Sequence, residues 1–132
     1  MALVHVAVGV ILDADRNVLI TRRAQHSHQG GLWEFPGAKG EAGELPLGAL
    51  MRELHEELGI VIGCTSALLE VHHDYGDKTV LLDVHIVWDF SGEARGLELQ
   101  PLAWVAPQDL ARYAFPAANI PIVSAVGTLL AW

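Results

Sequence analysis

Glu53, Glu56 and Glu57 sit close together in the chain, with Arg52 directly before the first of them and Glu44 a short way upstream. At 3.6 residues per turn, positions 53, 56 and 57 share one face of a helix. Like charges stacked in this way repel by roughly a few tenths of a kcal/mol per pair on an open helix, so they are either solvated or neutralised. A plain solvated face is the simplest reading. Two neighbours favour a chemical one. A glycine-rich loop bearing Trp33 and Phe35 runs straight into the acidic stretch, and Arg52 stands where it can orient one carboxylate. Hard cations such as Mg²⁺ take oxygen ligands, keep several waters and recruit phosphate oxygens. Such a cation polarises a phosphoryl oxygen and lowers the pKa of water. Spacing and charge together suggest metal-assisted hydrolysis of a phosphoanhydride.

These carboxylates need a helix to hold them, and residues 46–58 supply one. Leu47, Leu50, Leu54 and Leu58 recur at spacings of three and four and form an apolar stripe. Pro46 suits the first helical position and Gly59 the position just past the end. Leu45 replaces the usual capping side chain, which forgoes about 1 kcal/mol. Ahead of the helix, residues 22–44 read as a long functional loop with glycines at 30, 31, 37, 40 and 43. Residues 3–12 and 18–21 read as a hairpin around the polar turn Asp13–Asn17. Beyond the helix, residues 60–90 are β-rich, and Leu82, Val84, Ile86 and Trp88 can share one strand face. A turn over 91–96, a strand over 103–105, a helical turn over 107–113 and a closing helix over 122–132 complete the chain. This order of elements predicts an α/β domain over 1–132, with a mixed sheet flanked by helices.

Composition narrows the partners. The chain has 132 residues, 8 Lys+Arg against 16 Asp+Glu, and a formal net charge of −8. A nucleic-acid polymer requires cationic neutralisation of its phosphates, so it is an unsuitable partner. A triphosphate meets the same repulsion unless divalent ions stand between the carboxylates and the phosphates. Hydrophobic residues at 52% exclude a disordered chain. No apolar run reaches the ~18 residues of a membrane span, and the N-terminal residues lack the basic start of a signal peptide. One cysteine, Cys64, cannot form an internal disulfide. A cytoplasmic protein, monomeric or weakly dimeric, is expected.

The stretch Gly37-Ala-Lys-Gly-Glu-Ala-Gly-Glu44, followed after seven residues by Arg52-Glu-Leu-His-Glu-Glu-Leu-Gly-Ile60, resembles the Nudix box. Eight of its nine fixed positions agree; the opening glycine falls on Ala38. The segments Leu19-Ile-Thr-Arg-Arg23, Leu32-Trp-Glu-Phe-Pro-Gly37 and Phe115-Pro-Ala-Ala-Asn119 extend the resemblance to the MutT branch of that family. The resemblance implies a Nudix fold, a mixed sheet sandwiched between helices. It also implies hydrolysis of nucleoside triphosphates, above all 8-oxo-dGTP, to monophosphate and pyrophosphate. Mg²⁺, with Mn²⁺ as substitute, is then held by Glu53, Glu56, Glu57 and Glu98 and by the backbone carbonyl of Gly37. Glu44 and Arg52 correspond to supporting residues, Asn119 to the reader of the purine edge, Phe35 to a wall of the base pocket, and Arg23 to a phosphate contact. Lys78 stands where that branch usually has arginine, and offers a point charge in place of a fork. Glu41 lies outside the fixed pattern.

The seven histidines, including the pairs His26/His28 and His72/His73, lack the companions and spacing of a zinc site. Cys64 is expected to be small and buried, and Trp33, Trp88, Trp104 and Trp132 to be core or pocket walls. Two alternatives remain: a Nudix enzyme for another nucleotide (CTP or dCTP, ADP-ribose, NADH), and a module that senses a nucleotide without cleaving it. An intact set of acidic residues disfavours the sensor. Activity is expected to require divalent metal strictly; full turnover in excess EDTA would exclude the metal mechanism.

Overall fold

The computed structural model describes residues 2–27, 30–40 and 43–130. His28, Glu41 and Trp132, singled out above, lie outside the described residues. The central strand is β1 (Ala2–Ile11). It runs parallel to β7 (Lys78–Val87) in register from Ala2↔Lys78 to Ile11↔Val87, and antiparallel to β4 (Gly37–Lys39). A further strand, β6 (Thr65–Asp74), pairs antiparallel with β7 and slips register between Ala67 and Leu69. The order in this mixed sheet is β4-β1-β7-β6. A second sheet orders β3 (Trp33–Glu34), β2 (Val18–Arg22) and β9 (Leu102–Val105), while β5 (Val61–Ile62) pairs with β8 (Phe90–Ser91).

Strand alternation divides the interior into two parts. On one face of β1, Val8 and Val10 join Val80, Leu82, Val84 and Ile86 of β7. Helix α2 (Ile120–Leu130) closes this side with Ile122, Val126 and Leu130. On the other face, Ala7 and Ile11 meet Leu50, Leu54 and Leu58 of helix α1 (Pro46–Leu58). Helices therefore cover both faces of a mixed sheet, as expected. The stripe read from the sequence is the buried side of α1, which leaves its acidic side to the outside.

The expected hairpin is corrected. The turn itself forms: Asp13 accepts the N–H of Asp15 at 2.9 Å and of Asn17 at 2.8 Å on one carboxylate oxygen. After one bridge, Leu12↔Val18, the two strands part into different sheets. Both edges of β1 are taken, by β7 along its whole length and by β4 over three residues, so β2 passes to β9 and β3. The segment 22–44 is likewise more ordered than a loop, because it contains β3 and β4. Three burial expectations also fail. Cys64 is exposed at the mouth of β6. Trp88 follows the end of β7 and is 39% exposed, with Nε1 donating to Ser66 Oγ at 2.8 Å. Trp104 is 38% exposed and stacks on Phe90 at 6.0 Å. Tryptophan satisfies its indole N–H most easily at the rim, where one side stays wet.

Gly37 is required by packing. A Cβ on it would lie 2.7 Å from the carbonyl oxygen of Ala7, on the neighbouring strand backbone. Gly37→Ala is therefore expected to lower stability by about 1–3 kcal/mol through overpacking, measured by denaturant unfolding. An unchanged midpoint would show that β4 yields freely.

Candidate active site

The acidic side of α1 is organised by one guanidinium. Arg52 grips Glu44 with two parallel bonds, Nε to Oε2 at 2.9 Å and Nη2 to Oε1 at 3.0 Å. Its Nη1 donates to Glu53 Oε1 at 2.7 Å and lies 3.7 Å from Glu56. A planar fork suits this bidentate task, and a lysine would not perform it. The loop before the helix is thereby tied to the helix, and Glu53 has a fixed direction. No side chain caps the start of α1, and its first backbone bond runs from the Ala49 N–H to the carbonyl of Leu45 at 3.0 Å.

The other end of the helix is closed by a later loop. Gly59 turns left-handed at φ 73°, a conformation that suits glycine, and its N–H reaches the carbonyl of His55. Leu97 N–H and Gln100 Nε2 then donate to the last-turn carbonyl of Glu57, at 3.0 and 3.3 Å. Gln100 Oε1 accepts the N–H of Glu98 at 2.9 Å. Gln100 thus fastens the loop bearing Glu98 to the helix end bearing Glu57. This role was not anticipated, although a glutamine beside a carboxylate in a loop is a usable signal.

Crowding of carboxylates has an electrostatic cost. Burial pushes the Glu57 carboxyl up to about 8, reinforced by a hydrogen bond to Glu53 and by the charges of Glu53, Glu98 and Glu34. Glu34, missed as a site residue, is also raised, because burial outweighs the lowering effect of Arg23. The Arg23 guanidinium donates from Nη1 to Glu34 Oε1 at 2.5 Å. An acid inside the apolar run Trp33-Glu34-Phe35-Pro36 was the available signal.

Beside this acidic region lies a cleft of about 240 Å³. Arg23, Phe35, Lys78 and Asn119, distant in sequence, all line it, as do Gly37 and Glu34. Phe35 is buried and stacks on Phe115 at 5.2 Å, so it forms part of the wall from behind. Glu44, Arg52, Glu53, Glu56, Glu57 and Glu98 belong to the neighbouring helix and loop and do not line the cleft. Gly37 and Glu34 stand between the two regions: Gly37 is on the cleft wall, and the charge of Glu34 reaches Glu57. Among the described residues, no three acidic, histidine or cysteine side chains close into a ready-made cage for a metal ion.

The chain thus sets the carboxylate face of α1 near a polar-walled cleft on a mixed sheet flanked by helices. Residues 7–125 match the NUDIX domain family, and the chain belongs to it as a Nudix hydrolase. It is 36% identical over 124 residues to the 8-oxo-dGTP diphosphatase of Escherichia coli K12, covering 94% of this chain and 96% of that protein. It is 35% identical to the CTP pyrophosphohydrolase of the same organism, over 94% of this chain and 92% of the other. A solved MutT structure from work on Aliivibrio salmonicida and Vibrio cholerae is similar with a TM-score of 0.82 and 41% identity, covering 94% of this chain and 96% of that one.

Nudix hydrolases generally use a divalent metal. The donor chemistry here fits one: the side chains whose charges raise the Glu57 carboxyl, those of Glu53, Glu98 and Glu34, are carboxylates, and their mutual repulsion is the kind a hard cation relieves. A hard cation retains waters and takes phosphate oxygens as further ligands, so it does not require a closed protein cage.

The raised carboxyl has a measurable consequence in metal-free protein. Between the ordinary value of 4.5 and about 8, the folded chain keeps a proton on Glu57 that the unfolded chain gives up. Stability then falls as pH rises through that window, with Glu34 acting in the same sense. Glu57→Gln is expected to flatten this decline in thermal melts recorded from pH 5 to pH 8.5 in chelator, the variant gaining on wild type as pH rises. Parallel wild-type and variant curves would place Glu57 in open solvent.

Proposed function

We propose that this chain hydrolyses nucleoside triphosphates to monophosphate and pyrophosphate, with 8-oxo-dGTP as the preferred substrate. The observation that carries the reading is the convergence of Arg23, Phe35, Lys78 and Asn119 on one cleft adjoining the α1 carboxylates. The Asn119 amide offers a donor and an acceptor, which matches a purine edge carrying a carbonyl beside N–H groups. Lys78 supplies a point charge for phosphate, and Arg23, already oriented by Glu34, a directed one. Arg52 keeps Glu44 and Glu53 in place. Glu53, Glu56, Glu57, Glu98 and the carbonyl of Gly37 would hold Mg²⁺, or Mn²⁺ in its stead. When bound, the cation supplies charge neutralisation and Lewis acidity at the phosphoryl oxygens. A glutamate of this cluster would act as the base that takes a proton from water.

The same reading treats residues 1–132 as one domain, cytoplasmic, monomeric or weakly dimeric, with neither a nucleic-acid polymer nor a membrane as partner. Among the described residues, no helix is long and apolar enough to cross a membrane. A second substrate is supported by likeness to a relative named CTP pyrophosphohydrolase.

A panel of 8-oxo-dGTP, dGTP, CTP, dCTP, ADP-ribose and NADH, assayed with Mg²⁺ for released phosphate or pyrophosphate, tests the proposal. The highest kcat/KM is expected for 8-oxo-dGTP; a higher value for CTP replaces the assignment, and no turnover leaves a sensor. Asn119→Ala is expected to weaken the 8-oxo-dGTP to dGTP preference by roughly 5- to 200-fold, mainly through KM, since a lost buried hydrogen bond costs about 1–3 kcal/mol. An unchanged ratio would make Asn119 a turn residue only.

A further inference from the structure

Asn119 stands at the end of a single 3₁₀ turn, Ala117–Asn119, that leads into α2. The first N–H groups of any helical segment have no acceptor within it. For the buried residue Ala118, that acceptor is the hydroxyl oxygen of Tyr75, at 3.0 Å. Tyr75 belongs to the turn joining β6 to β7. Its own N–H donates to the carbonyl of Lys78 at 2.9 Å, and the Asp74 carboxylate accepts the N–H of Gly76 at 2.7 Å. The ring of Tyr75 meets His73 edge-on at 4.5 Å. Tyr75 and Asn119 both line the cleft, so this bond joins two of its walls.

We infer that Tyr75 is a positioning and specificity-determining residue: by holding the Ala118 N–H, its hydroxyl fixes the turn that presents Asn119 to the base. The inference rests on the reading of Asn119 as a base contact. Tyrosine is needed for this, because phenylalanine fills the same space and leaves a buried N–H without its acceptor.

Tyr75→Phe removes one oxygen and tests the point in a double-mutant cycle with Asn119→Ala, run on whichever triphosphate the wild type cleaves best. In the wild-type background, KM is expected to rise about 5- to 10-fold, at the low end of the loss expected on removing Asn119 itself, with kcat little changed. In the Asn119→Ala background, the same substitution should add little, because the group it positions is gone. Amide exchange at Ala118 in the ligand-free protein should accelerate, while exchange in β1 and β7 is unaltered. Additive effects in the cycle, or unchanged exchange at Ala118, would overturn the inference. Failure of the substrate assignment appears separately, as a wild type that does not prefer 8-oxo-dGTP.

Discussion

The Arg52 guanidinium is the interaction on which the functional half of the molecule depends. It places one cation among Glu44, Glu53 and Glu56, with two parallel bonds to the first and one to the second. Without such a centre, the carboxylates of α1 would repel one another and the loop before the helix would lose the charged tether at Glu44. Its side chain is partly shielded from solvent, so the pairing is stronger than that of an open surface ion pair. Farther along the helix, burial, a hydrogen bond to Glu53 and the charges of Glu53, Glu98 and Glu34 together raise the proton affinity of Glu57. Arg52 thus organises the carboxylates of the middle of the helix, while Glu57 in its last turn holds its proton more tightly than an ordinary carboxyl.

The helix can carry that charge because its opposite side is anchored. Leu50, Leu54 and Leu58 are fully buried against Ala7 and Ile11 of the central strand. Burying such side chains contributes about 1.5–3 kcal/mol each, far more than the few tenths lost to each repelling pair on the exposed side. Stability and reactivity are thus assigned to opposite sides of one helix. The loop 95–100 adds to this by satisfying the helix-end carbonyls of Glu57 and Leu58, which at the same time brings Glu98 beside Glu57.

The cleft has a different origin. Its walls come from β1, β4, β7, the β6–β7 turn and the turn before α2, and the ion pair of Arg23 with Glu34 and the hydrogen bond of Tyr75 with Ala118 link residues of its lining. Each contact joins segments remote in sequence. Apolar side chains such as Phe35 and polar ones such as Asn119 and Lys78 share the lining.

Local pattern alone determined α1 to the residue, from Pro46 through Leu58, because leucine spacing, an opening proline and a closing glycine are all short-range signals. It also marked the acidic face, since residues 53, 56 and 57 share a side at any helix of this pitch. The resemblance to the MutT branch named Glu98 and Asn119 as candidates, but their placement beside Glu57 and in the cleft is a matter of long-range packing. Tertiary structure alone decided that β1 pairs with β7 and β4 in place of β2, because strand pairing is settled by competition among all available edges. It likewise put Trp88, Trp104 and Cys64 outside the core, where hydrophobic character by itself predicts burial. The Arg23–Glu34 pair shows the same limit most clearly: eleven residues separate the two, and only the antiparallel pairing of β2 with β3 brings the ends of those strands face to face. Short-range periodicity is written in the chain, whereas the choice among partners far apart in sequence is made by the packing of the whole.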